Sequence, residues 1–457
     1  MDWDQLLSEH RYDPTSRDGP ASKHGSSPVS GFQEDANRII HSTPFRRLQG
    51  KTQVHPFPTY DYLRTRLTHT SEVAHVGRVI ATAALKDHIP NPGIVGDVVY
   101  AACLAHDLGN PPFGHIGEHA IHTWFQKLQE TERFRPLFVD KRFSDFLNFD
   151  GNAQGFRILT RLTGWRGRGG LQLSYATLGA FSKYPYSSGY IQQTAKKKKK
   201  FGFLYQDKSA ASKIYTALGM MAKEPKAHDT ELAFERHPLA YIVEAADDIC
   251  YLTTDIEDAG RMDLLDFDEC EKLLRNIAEA RRHMPRYNQI PKAKEYTQDR
   301  LKYLRAAAAS AMIDAAIECF QERQGDILRG GFRQNLLDAT NFAGSIKAIR
   351  DACEKTIYTE RKKLQLEAAG FSIIIAIMDL YGLMLLQLVE GGEESLDMRE
   401  RGLYQLLPRE SQDMLTGADA YGAMLVLVDY VSGMSDRYIR DLYQKLTGSN
   451  PTIGRMM

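Results

Sequence analysis

A mainly α-helical fold is what this sequence predicts, on two observations. From residue 32 onward most segments repeat their apolar residues at helical spacing. Nowhere do strand-like and helix-like segments alternate as a doubly wound sheet requires. The first segment, RYDPTSRDGPASKHGSSPVSG at 11–31, is rich in Ser, Pro and Gly and reads as an extended arm. LTHTSEVAHVGRVIATAALKDH at 67–88 places Val73, Val76, Val79, Ile80, Ala83 and Ala84 on one helical stripe. IVGDVVYAACLAHDLG at 94–109 is a second helix, stopped by Gly109, Pro111 and Pro112. A third starts in GHIGEHAIHTWFQKLQE at 114–130, and GNAQGFRILTRLTG at 151–164 and PLAYIVEAADDICYLTTDIEDAG at 238–260 are further helices. Residues 165–210 carry many Gly, Tyr and Lys and few periodic apolar residues, so they read as a long loop or small β excursion. The chain is helical again from 300, with an Ala-rich run at 306–316. This divides it into an N-terminal arm (1–31), a catalytic body (32–300) and a C-terminal helical region (301–457) that completes the body and supplies oligomer contacts.

Composition narrows the class of protein. The 457 residues carry 58 Lys plus Arg against 58 Asp plus Glu, which argues against a surface dominated by basic charge for nucleic acid, although it allows a local patch. The five cysteines, at 103, 250, 270, 319 and 353, show no CxxC spacing, which disfavours a disulfide framework or a thiolate zinc site and suits a reducing, cytoplasmic setting. The N-terminus, MDWDQLLSEHRYD, is acidic and has no apolar run of the kind a signal peptide needs. FSIIIAIMDLYGLMLLQLV at 371–389 approaches membrane-spanning length, but it contains Asp379 and Gly382 and reads as a buried helix.

Three places concentrate chemistry. His69 lies near the start of the first long helix, His106 and Asp107 end the second, and Asp247 and Asp248 sit in EAADDICY, where neighbouring Ala and Ile make two carboxylates costly unless paired or bound to a cation. Imidazoles and carboxylates together form a nitrogen and oxygen donor set that suits Mn, Mg, Co, Ni or Fe. In HDLGNPPFGH the Gly and Pro residues force an irregular crossing, so His115 need not follow the helix that carries Asp107. Glu118, three residues on, shares a helical face with His115 and can orient its imidazole as an acid/base pair. The run KKKKK at 196–200 reads first as a solvated surface segment.

HTSEVA, HDLGNPPFGH and EAADDICYLTTDIEDA together resemble the HD-domain superfamily of metal phosphohydrolases, and more narrowly the bacterial deoxyguanosine triphosphate triphosphohydrolases. RRLQGKTQVHP (46–56), RTRLTHT (64–70), FDGNAQGFRILTRL (149–162) and DYVSGMSDRY (429–438) extend the resemblance over nearly the whole chain. It implies a helical HD-domain fold with accessory helices, and His69, His106, Asp107 and Asp247 as ligands of Mn²⁺ or Mg²⁺. Asp247 rather than Asp248 is chosen because the family's ligand is followed on the same face by a Tyr and an Asp, here Tyr251 and Asp255. His115 and Glu118 would be catalytic, with His115 as either acid or base. Gln53, Arg66, Asn152, Lys183, Tyr184, Tyr251 and Asp255 would bind substrate: Gln53 against the sugar hydroxyl, Arg66 on phosphate, and Tyr251 under the deoxyribose. The implied reaction converts dGTP, or a wider set of dNTPs, to deoxynucleoside and inorganic triphosphate. The implied partners are further copies of the chain, as tetramer or hexamer, and a dNTP or single-stranded DNA effector, with no membrane. Two other readings stand beside it: a phosphohydrolase of another nucleotide, and a nucleotide- or nucleic-acid-binding regulator without turnover.

Overall fold

The computed structural model describes residues 1–14, 30–52, 64–163, 169–190, 200–223, 232–280, 287–292, 294–357 and 359–449. Its helices follow the periodicity of the sequence. The elements that build the site are α1 (Gly31–Ile40), α2 (Arg66–Ala84), α3 (Pro92–Ala105), α4 (His115–Glu130), α5 (Gly151–Arg157), α6 (Tyr175–Phe181) and α7 (Pro238–Arg261). They are followed by α8 (Phe267–Ala280), α9 (Thr297–Leu328), α10 (Ala343–Thr356), α11 (Arg361–Gly391), α12 (Ala420–Ser432) and α13 (Asp436–Thr447). Among the described residues, β structure is limited to isolated bridges, such as Ser187 with Phe203 and Tyr186 with Ala233.

The region expected as a loop or β excursion needs correction, because it contains a helix. Ser174 caps α6 by accepting from Thr177 N–H at 3.2 Å. All seven helical residues are buried, so no polar face exists to give an amphipathic period. The N-terminal arm is tied down on both sides of residues 15–29, which lie outside the described residues. Arg11 pairs with the fully buried Asp35 of α1 at 2.6 Å, and Tyr12 N–H donates to Leu173 O at 3.0 Å.

The apolar side chains gather into two clusters. The first packs α2, α3, α6, α7, α9 and α10 together, and the second packs α4, α11, α12 and the aromatic residues around Phe146. This partition cuts across the sequence division into a body and a C-terminal region, since α9 and α10 join the first cluster and α11 and α12 the second. The chain crosses between clusters in the Gly/Pro segment after α3: Leu108 belongs to the first and Phe113 to the second. It crosses back within α5, where Ala153 belongs to the second and Phe156 to the first. The two crossings touch at Gly109, where an added Cβ would lie 2.1 Å from Gly151 O and from Gly155 N, so no larger residue fits. Helix α11 is long and apolar enough to cross a membrane by length and composition, but half of its apolar window is buried against the rest of the protein.

His237 shows how the fold fixes a protonation state. It caps α7, accepting from Leu239 N–H through Nδ1 at 3.1 Å, while Nε2 donates to Leu6 O at 3.1 Å. Only the neutral ring satisfies both bonds. Burial lowers its pKa from 6.5 to about 4. With the folded value below the unfolded one, the unfolded chain binds more protons between these limits, so stability falls as pH drops from about 6.5 toward 4. The loss is expected to reach ~3 kcal/mol, at ~1.4 kcal/mol per pH unit. Thermal unfolding of the wild type and of His237→Asn, which keeps a neutral capping acceptor, checks this; the variant should lose that pH slope.

Candidate metal centre and hydrolytic site

Helix α2 presents Arg66 and His69 one turn apart, and both are buried. Helix α3 ends at Ala105, and His106 and Asp107 lie in the tight turn beyond it. Helix α7 brings Asp247 across from the far side of the same apolar cluster. His69 Nε2 lies 2.9 Å from Asp247 Oδ1, and His106 Nε2 lies 3.6 Å from the same oxygen. The two imidazoles meet edge to face with centroids 5.5 Å apart. One ligand-capable atom from each of His69, His106 and Asp247 lies within 4.8 Å of the other two.

A divalent cation fits these donors. His106 Nδ1–H donates to Cys103 O at 2.7 Å, which leaves the Nε2 lone pair turned toward Asp247. That Nε2 is buried and has no hydrogen-bond partner. Burial opposes charge on Asp247, yet His106 and His69 hold its carboxyl far below the usual range. Burial likewise opposes protonation of His69, but its bond to Asp247 raises its pKa. Taking up a cation would therefore displace a proton from this pair.

Asp107 stands at the edge of the group. Its Oδ1 is 3.6 Å from His106 Nε2, but its oxygens also accept from Arg66 Nη1 at 2.7 Å and from Asn110 Nδ2. Against the cost of burial, Arg66 and the two imidazoles keep its carboxyl ionised. Asp248 turns away from the group toward Arg350 (3.1 Å) and Asn335 (2.7 Å).

His115 begins α4, and its side chain is 89 % exposed. Its Nδ1 lies 3.1 Å from Glu118 Oε2, while Glu118 Oε1 accepts from Gly151 N–H at 2.8 Å. Lys200 Nζ stands 3.5 Å from both Glu118 and Asp150. Burial works against ionisation of Glu118, but the bond from His115 and the charge of Lys200 lower its pKa to about 2. Glu118 is thus a fixed anion that orients His115.

His106, Asp107, Asp247, His115, Glu118 and Lys200 face one cavity of about 550 Å³, which also receives Asn152, Lys183, Tyr184, Tyr251 and Asp255, while His69 stays buried against Asp247. Lys183 is held by Glu244 at 3.1 Å and lies over the ring of Tyr184 at 5.7 Å. Burial, followed by the nearby Asp248, raises the Tyr251 hydroxyl to about 12. Asn152 is fixed through its side-chain amide and backbone N–H, both bonded to Asp150 Oδ1 at 2.7 and 2.8 Å. Arg66 borders the cavity, but its guanidinium pairs with Asp107. Gln53 and Lys196–Lys199 lie outside the described residues.

Sequence reasoning missed Lys200, Asn110, Glu244 and Arg350. Lys200 is the last of five identical residues, and nothing in the run marks which lysine folds inward. Glu244 precedes Asp247 by one helical turn, and that spacing was the available signal.

A helical body that gathers His69, His106 and Asp247 beside a histidine–glutamate pair defines a metal-dependent phosphohydrolase of the HD class, and the HD domain family matches residues 66–145. Over nearly full length the chain is 36% identical to a deoxyguanosinetriphosphate triphosphohydrolase-like protein of Pseudomonas aeruginosa, covering 99% of this chain and 100% of that one. The corresponding Synechocystis protein is also 36% identical, over 98% of this chain and 99% of its own. The deoxyguanosinetriphosphate triphosphohydrolase of Salmonella typhimurium is 28% identical, over 91% and 93%. The chain belongs to the deoxyguanosinetriphosphate triphosphohydrolase-like family.

Proposed function

We propose that the chain hydrolyses dGTP, alone or among the other dNTPs, to deoxynucleoside and inorganic triphosphate. The observation that supports this reading is that His106 and Asp247, with His69 bonded behind Asp247, share one cavity with the His115–Glu118 pair and with Lys183 and Lys200. His69, His106 and Asp247, with Asp107 beside them, would hold a divalent cation such as Mn²⁺ or Mg²⁺, which would supply Lewis acidity toward a phosphoryl oxygen and a more nucleophilic water. Lys183 and Lys200 neutralise the polyphosphate, with Asn152 and Tyr184 beside them. Arg66 reaches phosphate once its pairing with Asp107 is exchanged. His115, oriented by Glu118, passes a proton from the attacking water or to the departing 5′-oxygen. Tyr251 and Asp255, one and two turns beyond Asp247, form a wall for the sugar. A ring packed there leaves no room for a 2′-hydroxyl, which would exclude ribonucleotides by steric conflict. Gln53 completes the sugar contacts. With this reading go a cytoplasmic homo-oligomer of four or six chains and activation by a dNTP or single-stranded DNA.

Product analysis tests the reading. The purified protein is incubated with each dNTP and rNTP, singly and mixed, with Mn²⁺, Mg²⁺ or chelator, and with or without a single-stranded oligonucleotide. Intact triphosphate and deoxynucleoside, formed only with metal and only from dNTPs, is the expected result. Release of pyrophosphate or orthophosphate would place the cleavage at another bond and reject it. Metal-dependent binding without turnover in any mixture would favour the regulator.

A further inference from the structure

The proposed reaction gives no role to DYVSGMSDRY at 429–438, a segment far from the cavity's helices in sequence. In space it grips them from behind. Asp436, 2 % exposed, accepts from Phe113 N–H through Oδ1 at 3.0 Å. Its Oδ2 accepts from Thr52 N–H at 3.1 Å and Thr52 Oγ1–H at 2.9 Å. Phe113 and Gly114 both have left-handed backbone, with φ of 62° and 58°. For Phe113 that conformation is strained and persists only where neighbours enforce it. The carboxylate of Asp436 holds the Phe113 N–H in this turn, and the next residue after Gly114 is His115.

Further bonds at Ser432 and Asp429 tie the same segment to the site. The buried Lys51 Nζ donates to Ser432 O at 2.9 Å and to Asn110 O at 2.5 Å. Asp429 accepts from Gln154 at 2.8 Å and from Arg157 at 2.9 Å, both on α5, whose first residue supplies the N–H to Glu118. Residues 50 and 435 pack so closely that a Cβ on Gly50 would meet Ser435 Cβ at 2.8 Å.

We propose that Asp436 is a positioning residue for hydrolysis: by holding Phe113 N–H and Thr52 together it sets the turn that aims His115. The inference rests on the proposed reaction only for its kinetic consequence.

The test is Asp436→Asn, which keeps the shape but cannot accept at both ends, with the exposed Arg437→Ala as control. In a crystal structure of D436N, Phe113 or Gly114 is expected to leave the left-handed region and His115 to part from Glu118. An unchanged turn overturns the proposal, and this readout stands even if no dNTP is turned over. On the dNTP that the wild type hydrolyses, kcat is expected to fall at least tenfold while calorimetric Mn²⁺ affinity stays within threefold, because the hydrogen bonds Asp436 accepts come from Thr52 and Phe113. In a His115→Ala background the same substitution should cost less than threefold, since its effect passes through His115. A loss that remains complete in that background, or an unchanged kcat in D436N, overturns the proposal. Absence of turnover by the wild type would reject the dNTP reading alone and leave positioning to be decided by the structure of the turn.

Discussion

Asp247→Asn is expected to lower kcat/KM for dNTP hydrolysis by about 10²–10³-fold or more. The side chain keeps its volume, so the loss is one of charge. Asp247 Oδ1 is the oxygen shared by His69 and His106, and both imidazoles hold it ionised. Losing one preorganised electrostatic group at the reacting centre costs about 2.7–4 kcal/mol of transition-state stabilisation. At ~1.4 kcal/mol per decade this gives the stated range. Calorimetric titration with Mn²⁺ should show a parallel loss of affinity, and unfolding curves should show that the fold survives. Wild-type Mn²⁺ affinity in the variant would remove Asp247 from the metal centre.

Glu118→Gln is expected to act on turnover and not on the metal. Glu118 accepts from His115, receives Gly151 N–H and faces Lys200. Loss of its charge lets the 89 % exposed imidazole of His115 leave its orientation. General acid–base catalysis contributes about 10²–10⁴-fold, so kcat should fall within that span with KM little changed. His115→Ala should cost as much, and the double variant little more than either, since two groups acting as one unit are not additive. The pH profile separates the roles further. A carboxyl with its pKa near 2 is ionised throughout the range in which the protein can be assayed, so an acidic limb between pH 5 and 8 cannot be titration of Glu118. Mn²⁺ affinity that fell with Glu118→Gln would place Glu118 in the metal centre.

Part of the site was legible in helical spacing, and part only through the family resemblance. Asp247, Tyr251 and Asp255 lie on one helical stripe, and all three face the cavity. His115 and Glu118 are close because a helix begins at His115, as the Gly/Pro segment before it suggested. The choice between Asp247 and Asp248 needed the family, since both lie in the same apolar stretch; the structure sends one to the imidazoles and the other to Arg350. What spacing could not disclose was contact across long separations. Lys200 reaches Glu118 over a segment with no period, and Arg66 meets Asp107 because α2 packs on α3. Helix α6 was missed because it has no solvent face. Sequence order likewise does not say which apolar cluster a C-terminal helix joins: α9 and α10 pack in the first and α11 and α12 in the second.

The bonds from residues 429–436 to the turn before His115 have a temporal meaning. Contacts that span most of a chain are costly to close and form late, and a chain made from its N-terminus lacks their second partner until synthesis is nearly over. His69, His106 and Asp247, the proposed cation ligands on α2, just after α3 and on α7, precede that segment by well over a hundred residues. A nascent chain can therefore assemble its cation-binding half while the turn that aims His115 is still unbraced. On the role proposed for Asp436, hydrolysis would begin only after residues 429–436 have been made.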